Sequence, residues 1–260
     1  MKKRWLVGCA FAFGMGAVSF CLGADNEASA GAGINYSTGK YGTGTETRIW
    51  SVPLLARYDT ELWTFKLSVP FLRITGPSNV IPGIGRTERG GSRRGPGTTT
   101  VSGLGDVTAS ATYNVFWDSA ARRGLDLTGR VKLPTADKDK GLGTGSTDES
   151  LQVDVYQTIA RTTLFADVGY THFGHSDVVQ LDNAVNYGIG ASQKVSDIDS
   201  LGASFDGRQR VTPGGGPQRE ITLFWNRRTE DHTRLQAYVL FGFANGSPDR
   251  GFGVSLLKAF

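Results

Sequence analysis

Cysteine is nearly absent from this 260-residue chain, and both copies, Cys9 and Cys21, lie close to the N-terminus. If that segment is removed on export, the mature chain contains no thiol. Disulfides, cysteine-ligated metal sites and cysteine nucleophiles are then excluded together. Histidine is also scarce, with three copies in the whole chain.

Long apolar runs are missing beyond the first, Trp5–Gly23, which follows the basic residues MKKR and precedes the polar ADNEASA. This order is typical of a secretory signal peptide; an uncleaved membrane helix is the alternative. The many Gly and Ala residues in the run favour the signal peptide. We expect cleavage after Ala24, because the better small-residue match, ASA at 28–30, would cut into the first strand. The predicted organisation is a signal peptide at 1–24 and one domain at 25–260.

A large charge of either sign is also lacking. The net charge of +4 includes three basic residues of the signal, so the mature chain has 25 basic and 24 acidic residues and a charge of +1. The basic isoelectric point therefore gives no indication of nucleic acid, and no nucleic-acid partner is predicted.

Glycine is abundant, at 36 residues, and almost every readable segment alternates between apolar and polar residues. In GLDLTGRVKLP, Leu125, Leu127 and Val131 share one face, and the opposite face carries polar side chains. Successive side chains of a strand point to opposite faces, so the pattern predicts strands. No segment of comparable length has a helical period.

The connections between the predicted strands differ in length on the two sides. They are short after even-numbered strands (DTE, RTT, SDI, TED) and long after several odd-numbered ones, as at 77–103. Transmembrane barrels have this asymmetry, whereas a sandwich or soluble barrel has no need of it. We therefore predict an all-β, transmembrane antiparallel up-and-down β-barrel of about 12 strands. The predicted strands are 27–36, 47–58, 62–76, 104–116, 125–134, 151–160, 164–174, 181–195, 199–210, 218–228, 232–244 and 250–260.

The final stretch, VSLLKAF, predicts an outward-facing last strand that pairs with the first and closes the wall. It resembles the terminal aromatic signature by which outer-membrane proteins are recognised, so Phe260 is the predicted assembly signal. Lys258 departs from that signature. The expected partners are outer-membrane lipid, lipopolysaccharide and the barrel assembly machinery.

Three stretches of the chain resemble a known family. These are SVPLLARYDTELWTFKLSVPFLRITGPSNVIPG, GLGDVTASATYNVF and, most specifically, KLPTAD…GLGTGSTD at Lys132 to Asp148. They are similar to outer-membrane transporter-like proteins labelled as belonging to a pathway of phenol degradation. The resemblance implies an outer-membrane barrel that transports small aromatic or other hydrophobic compounds. It supplies no catalytic or binding residues.

Polar side chains on the inward face are the main functional candidates. A twelve-stranded barrel has a narrow bore, between the filled interior of eight strands and the open channel of sixteen. Charges paired across this bore would be structural, and unpaired ones would form a selectivity ring. The predicted lumen-lining residues are Arg130, Lys132, Asp154, Asp167, Arg234 and Tyr238.

An outer loop contains the basic cluster Arg86, Arg89, Arg93 and Arg94. Two interpretations are open: contact with lipopolysaccharide phosphates or anionic solutes, and a solvated loop tip rich in glycine.

HFGHSD places His175, Ser176 and Asp177 in sequence at the outer end of a hairpin, which raises an outer-leaflet lipid hydrolase as an alternative function. Adjacent strand residues point apart, which disfavours a catalytic pair.

DKDKG fails the calcium-loop spacing, and GLGTGS lacks the strand-to-helix context of a dinucleotide site. No cofactor is predicted. The main prediction is a passive channel for small solutes, with a closed structural or adhesion barrel as a further alternative.

Overall fold

The computed structural model describes residues 26–88 and 97–260. These residues form strands and their connections, and no helix among them is long and apolar enough to cross a membrane. The predicted signal peptide, and Arg89, Arg93 and Arg94 of the basic cluster, lie outside the described residues. The strands are β1 (Glu27–Gly39), β2 (Thr47–Asp59), β3 (Trp63–Gly76), β4 (Val80–Ile81), β5 (Gly85–Arg86), β6 (Thr99–Leu104), β7 (Val107–Asp118), β8 (Arg123–Leu133), β9 (Asp148–Ile159), β10 (Thr162–Phe173), β11 (Ala184–Lys194), β12 (Asp199–Arg208), β13 (Gln218–Arg228), β14 (Thr233–Gly242) and β15 (Arg250–Ala259).

The sheet closes on itself as an antiparallel barrel. Strand β1 pairs with both β2 and β15, and every later barrel strand pairs with its neighbours in chain order. Strands β6 and β7 pair in succession with β3 and together occupy one position in the wall. The result is a closed barrel of twelve strands, which confirms the predicted fold.

The barrel is apolar outside and polar inside. On β2, outward Leu54 is 61% exposed, whereas inward Ser51 is 2% exposed. The same alternation places a belt of exposed aliphatic and aromatic side chains around the barrel, including Val168, Ile189, Leu223 and Phe252. A soluble barrel or sandwich has the reverse arrangement. The belt has the composition expected of a lipid-facing surface.

Aromatic rings inside the barrel lie across glycines of the neighbouring strands. The ring of Phe165 lies against Gly190, and that of Phe224 lies against Gly202, where any larger residue would overlap the ring. Together with Trp117 these rings form one apolar cluster, here called the aromatic floor. Its members are Trp117, Tyr156, Phe165, Phe224, Tyr238 and Leu240.

Two prolines face each other in the wall, Pro53 on β2 and Pro70 on β3. Proline has no N–H to donate to a ladder. Beside Pro70, the wall is interrupted between β6 and β7, where the Gly105 N–H donates to the Pro70 carbonyl at 2.8 Å. The single strand predicted at 104–116 is therefore two strands, and the first of them begins at Thr99.

The segment predicted as a long outer loop, 77–103, is not only a loop. Strands β4 and β5 form a small ribbon within it, and β6 occupies its last part. Residues 77–88, here called the inner hairpin, contain Val80 at 2% and Ile81 at 1% exposure. The hairpin lies inside the outer end of the barrel because its apolar residues pack there against the wall and the other loops. The sequence predicts an outer loop here without assigning it a role, and the structure places residues 77–88 inside the end of the barrel.

Candidate functional site

A cavity of about 320 Å³ lies in the lumen beneath the inner hairpin. Its wall comes from strands on opposite sides of the barrel, and its roof from the hairpin and the 134–147 loop. Apolar side chains dominate the surface, with three cations and two carboxylates among them. The apolar lining includes Pro53, Leu55, Pro70, Leu72, Ile81, Ile84, Leu142 and Phe173; the charged lining comprises Asp106, Arg130, Lys132, Asp148 and Arg208.

The roof of the cavity is held by two apolar contacts and one buried cation. Val80 packs in a cluster with Leu142, and Ile81 packs in another with Phe173. Arg208, which is 3% exposed, donates to the Gly83 carbonyl at 2.8 Å and to the Ile84 carbonyl at 3.3 Å. Charge-assisted bonds of this kind are stronger than neutral ones. They hold the hairpin tip inside the lumen.

Lys132 is fully engaged by its surroundings. Its ammonium lies 2.9 Å from Asp106 and 3.0 Å from Asp148. It also donates to the Thr144 hydroxyl at 2.5 Å and to the Ser146 carbonyl at 2.9 Å. An ammonium has three donors, so little capacity remains for a solute. Lys132 therefore fastens the 134–147 loop to the wall.

Arg130 borders the same cavity but is engaged differently. Its inward position on β8 lies between Ser110 of β7 and Ser150 of β9 in the register. These short side chains leave room for the guanidinium. Within residues 26–88 and 97–260, Arg130 forms no hydrogen bond and no ion pair, although the charges of Asp154 and Asp167 act on it from farther away. Its five donors are available to the cavity.

Carboxylates form a row along the inner wall, and two of them, Asp154 and Asp167, are among the predicted lumen-lining residues. In the register, Asp126 is opposite Asp154, Asp154 is opposite Asp167, and Gly188 links Asp167 to Asp206. Asp126 accepts from the Asn114 amide, and Asp154 accepts from Gln152 and Thr128. All of these residues are at inward positions, but only strand register places them in one row. The members of the row are Asp126, Asp154, Asp167, Asp206 and Glu220.

Arg234 lies at the end of the lumen that Glu27 and Asp59 also border, where it is paired. It is 2.6 Å from Glu27 of β1 and 3.6 Å from Asp59 of β2. Asp59 also pairs with Arg57 at 2.6 Å. These bonds connect β14 to the first two strands across the barrel closure. Among the residues that the structure describes, Lys132 and Arg234 are paired with carboxylates, whereas Arg130 forms no ion pair.

Tyr238 joins the cavity to the aromatic floor. It borders the cavity, belongs to the floor cluster, and donates from its hydroxyl to the Asn35 side-chain oxygen at 3.0 Å. The ring lies against Gly253 of the next strand. An apolar surface thus continues from the cavity toward the end of the barrel at which Arg234 lies.

Two further predicted residues lie away from the cavity. Arg86 belongs to the inner hairpin and donates to the Gly42 carbonyl at 3.2 Å. It is therefore bonded to another loop and does not belong to a freely solvated loop tip. Phe260 follows β15 with 84% of its surface exposed, and its N–H donates to the Ala28 carbonyl at 2.9 Å.

The HSD segment forms no catalytic arrangement in the described residues. The hydroxyl of Ser176 is buried and donates to the Thr144 carbonyl. The same hydroxyl accepts from the Val178 N–H at 3.2 Å. Asp177 instead accepts two bonds from Lys138, at 2.7 and 2.6 Å. Those bonds hold the pKa of the Asp177 carboxyl below its usual range. The segment fastens one outer loop to another.

No protein-family model and no curated protein matches this chain. An outer-membrane channel from Pseudomonas putida F1 is similar in structure, with a TM-score of 0.73 and 14% identity over 94% of this chain and 98% of that one. The chain has the fold of an outer-membrane β-barrel. The β domain of the Bordetella autotransporter BrkA is also similar, with a TM-score of 0.53 and 10% identity over 91% of this chain and 100% of that one.

Proposed function

We propose that this protein is a passive outer-membrane channel for small hydrophobic or amphipathic solutes. The observation that carries the proposal is the lumenal cavity, enclosed by the barrel wall and lined mainly by apolar side chains with a few charged groups. Binding sites for small organic molecules have this composition, whereas the aqueous pores of large barrels have polar interiors.

The arrangement along the barrel axis supports a route for apolar compounds. The inner hairpin roofs the cavity on the outer side, and Tyr238 connects the cavity to the aromatic floor. A solute leaving the cavity toward the periplasm would meet ring faces before the ion pairs around Arg234. The narrow bore favours small compounds over large ones.

The comparisons support the same class of function. The similar structure from Pseudomonas putida F1 is described as an outer-membrane channel. The sequence resembles transporter-like proteins labelled with phenol degradation, which favours aromatic solutes. Outer-membrane location, export by the N-terminal segment and assembly through Phe260 belong to this proposal.

The test is conductance of the refolded residues 25–260 in planar bilayers, followed by uptake of phenol and toluene into cells that express the full chain. We expect small stepwise currents and faster uptake than in cells with an empty vector. Cell fractionation should place the chain in the outer membrane. A heat-modifiable, folded barrel that neither conducts nor accelerates uptake would contradict the channel and favour a structural barrel.

A further inference from the structure

We propose that the lumenal cavity binds amphipathic organic anions, with a carboxylate on Arg130 and an apolar body against the β2–β3 wall and the inner hairpin. The inference rests on the proposed channel function and names the solute class of the same cavity. It depends on which charged groups of the lining are already engaged by the protein.

The first argument is elimination among the three cations of the lining. Lys132 is held by Asp106 and Asp148, and Arg208 donates to hairpin carbonyls. Arg130 alone among these cations forms no hydrogen bond or ion pair with the part of the chain that the structure describes. A guanidinium presents paired donors in a plane, the geometry that matches a carboxylate.

The second argument is the apolar surface that shares the cavity with Arg130. Pro53, Leu55 and Leu72 line it from the wall, and Ile81 and Ile84 line it from the hairpin. An inorganic anion would use the guanidinium and leave this surface in contact with water. A solute with an anionic group and a compact hydrocarbon body would use both.

The third argument is the placement of the acidic row. Arg130 is level with Ser150 and Thr171 in the register, and Asp154 and Asp167 lie four positions closer to the periplasmic ends of the same strands. An anion on Arg130 would therefore have carboxylates below it and would be repelled from moving deeper. The cavity should hold such a solute before it passes, so its binding should be visible as block of the ionic current.

The test uses two pairs of probes with matched bodies, benzoate with benzyl alcohol and hexanoate with 1-hexanol. Binding to the refolded barrel is measured by titration calorimetry, and current block is measured in planar bilayers. We expect each anion to bind and block at a concentration at least about tenfold lower than its neutral partner.

Three variants assign the preference to Arg130. Arg130→Gln should abolish the preference for the anions and leave the neutral compounds unaffected, and Arg130→Lys should retain part of it. Arg161→Gln, in an exposed periplasmic turn, is the matched control and should behave as the wild type. Heat modifiability establishes that each variant is folded. If Arg130→Gln does not fold, the inference is tested by comparing each anion with its neutral partner on the wild-type barrel and on Arg130→Lys.

The outcomes separate this inference from the channel itself. A conducting barrel without an anion preference, or one whose preference survives Arg130→Gln, would overturn the inference and leave the channel intact. A barrel that binds the anions through Arg130 but passes no current and no solute would contradict the channel and support the site.

Discussion

Arg208 donates to the carbonyl of Gly83, a residue 125 positions earlier in the chain. The bond joins β12 of the barrel wall to the tip of the inner hairpin. It helps to keep this hairpin, which is part of the connection between β3 and β6, inside the lumen. The hairpin tip is therefore held inside the lumen by this buried guanidinium together with the apolar contacts of Val80 and Ile81.

Replacing Arg208 with alanine should release the hairpin tip. Hydrogen bonds to a charged group contribute about 1.5–3 kcal/mol, so the hairpin should spend roughly tenfold more time, or longer, away from the lumen. Single-channel recording should show larger or longer openings than in the wild type. Arg210→Ala, at an exposed position two residues later, should leave the recordings unchanged. Equal conductance in wild type and Arg208→Ala would show that the hairpin does not limit the current.

Gly202→Ala should destabilise the barrel. The new methyl group would overlap the Phe224 ring and approach the Ala191 carbonyl, and overpacking of this kind costs about 1–3 kcal/mol. Gly129→Ala is the matched control because no atom lies within 4 Å of its added methyl group. Urea unfolding in lipid vesicles measures both. If the two variants are equally stable, the aromatic floor adapts to the added group.

Val168→Arg tests the outward face at the middle of β10. Val168 is 54% exposed, and an arginine at the bilayer midplane costs about 2–4 kcal/mol. The matched variant Leu164→Arg lies on the same face near the Thr162 end of β10, where the cost falls to about 0–1 kcal/mol. Folding into vesicles should be weakened by the first and little changed by the second. Equal effects would argue against a lipid-facing belt with this depth.

The contact of Asp177 with Lys138 should make the outer loops sensitive to acid. Because its folded pKa lies below the usual 3.8, the ionised carboxylate contributes fully above that value and loses its contribution as the pH falls through the lower folded value. Asp177→Asn should reproduce the low-pH state at neutral pH, seen as faster hydrogen exchange, corrected for intrinsic rates, in residues 134–147 and 174–183. Asp182→Asn, also exposed, is the control. Unchanged exchange in Asp177→Asn would show that solvent screening cancels the contact.

The sequence was sufficient for the barrel and for the direction in which most side chains point. Alternation of period two is a property of the local sequence. In a barrel surrounded by lipid, the apolar residues of each strand must face outward and the polar residues inward. From this pattern the sequence predicts lumen-lining positions for Arg130, Lys132, Asp154, Asp167, Arg234 and Tyr238. Of these, Arg130, Lys132 and Tyr238 border the cavity.

The sequence was not sufficient for the inner hairpin. Residues 77–88 contain Pro, Gly and isolated apolar residues, a composition that also describes an exposed loop. Their burial depends on partners such as Arg208 and Phe173, which are distant in the chain and are brought close only by closure of the barrel.

What the sequence determined by itself was therefore the transmembrane barrel, because lipid imposes the same local alternation on every strand. Tertiary structure alone decided which lumenal charges are engaged. Lys132 and Arg130 are two residues apart on one face of β8, and nothing local distinguishes them. Register and loop packing bring two carboxylates into contact with Lys132, whereas the register partners of Arg130 are Ser110 and Ser150. Such pairing depends on strands that the linear chain does not place together.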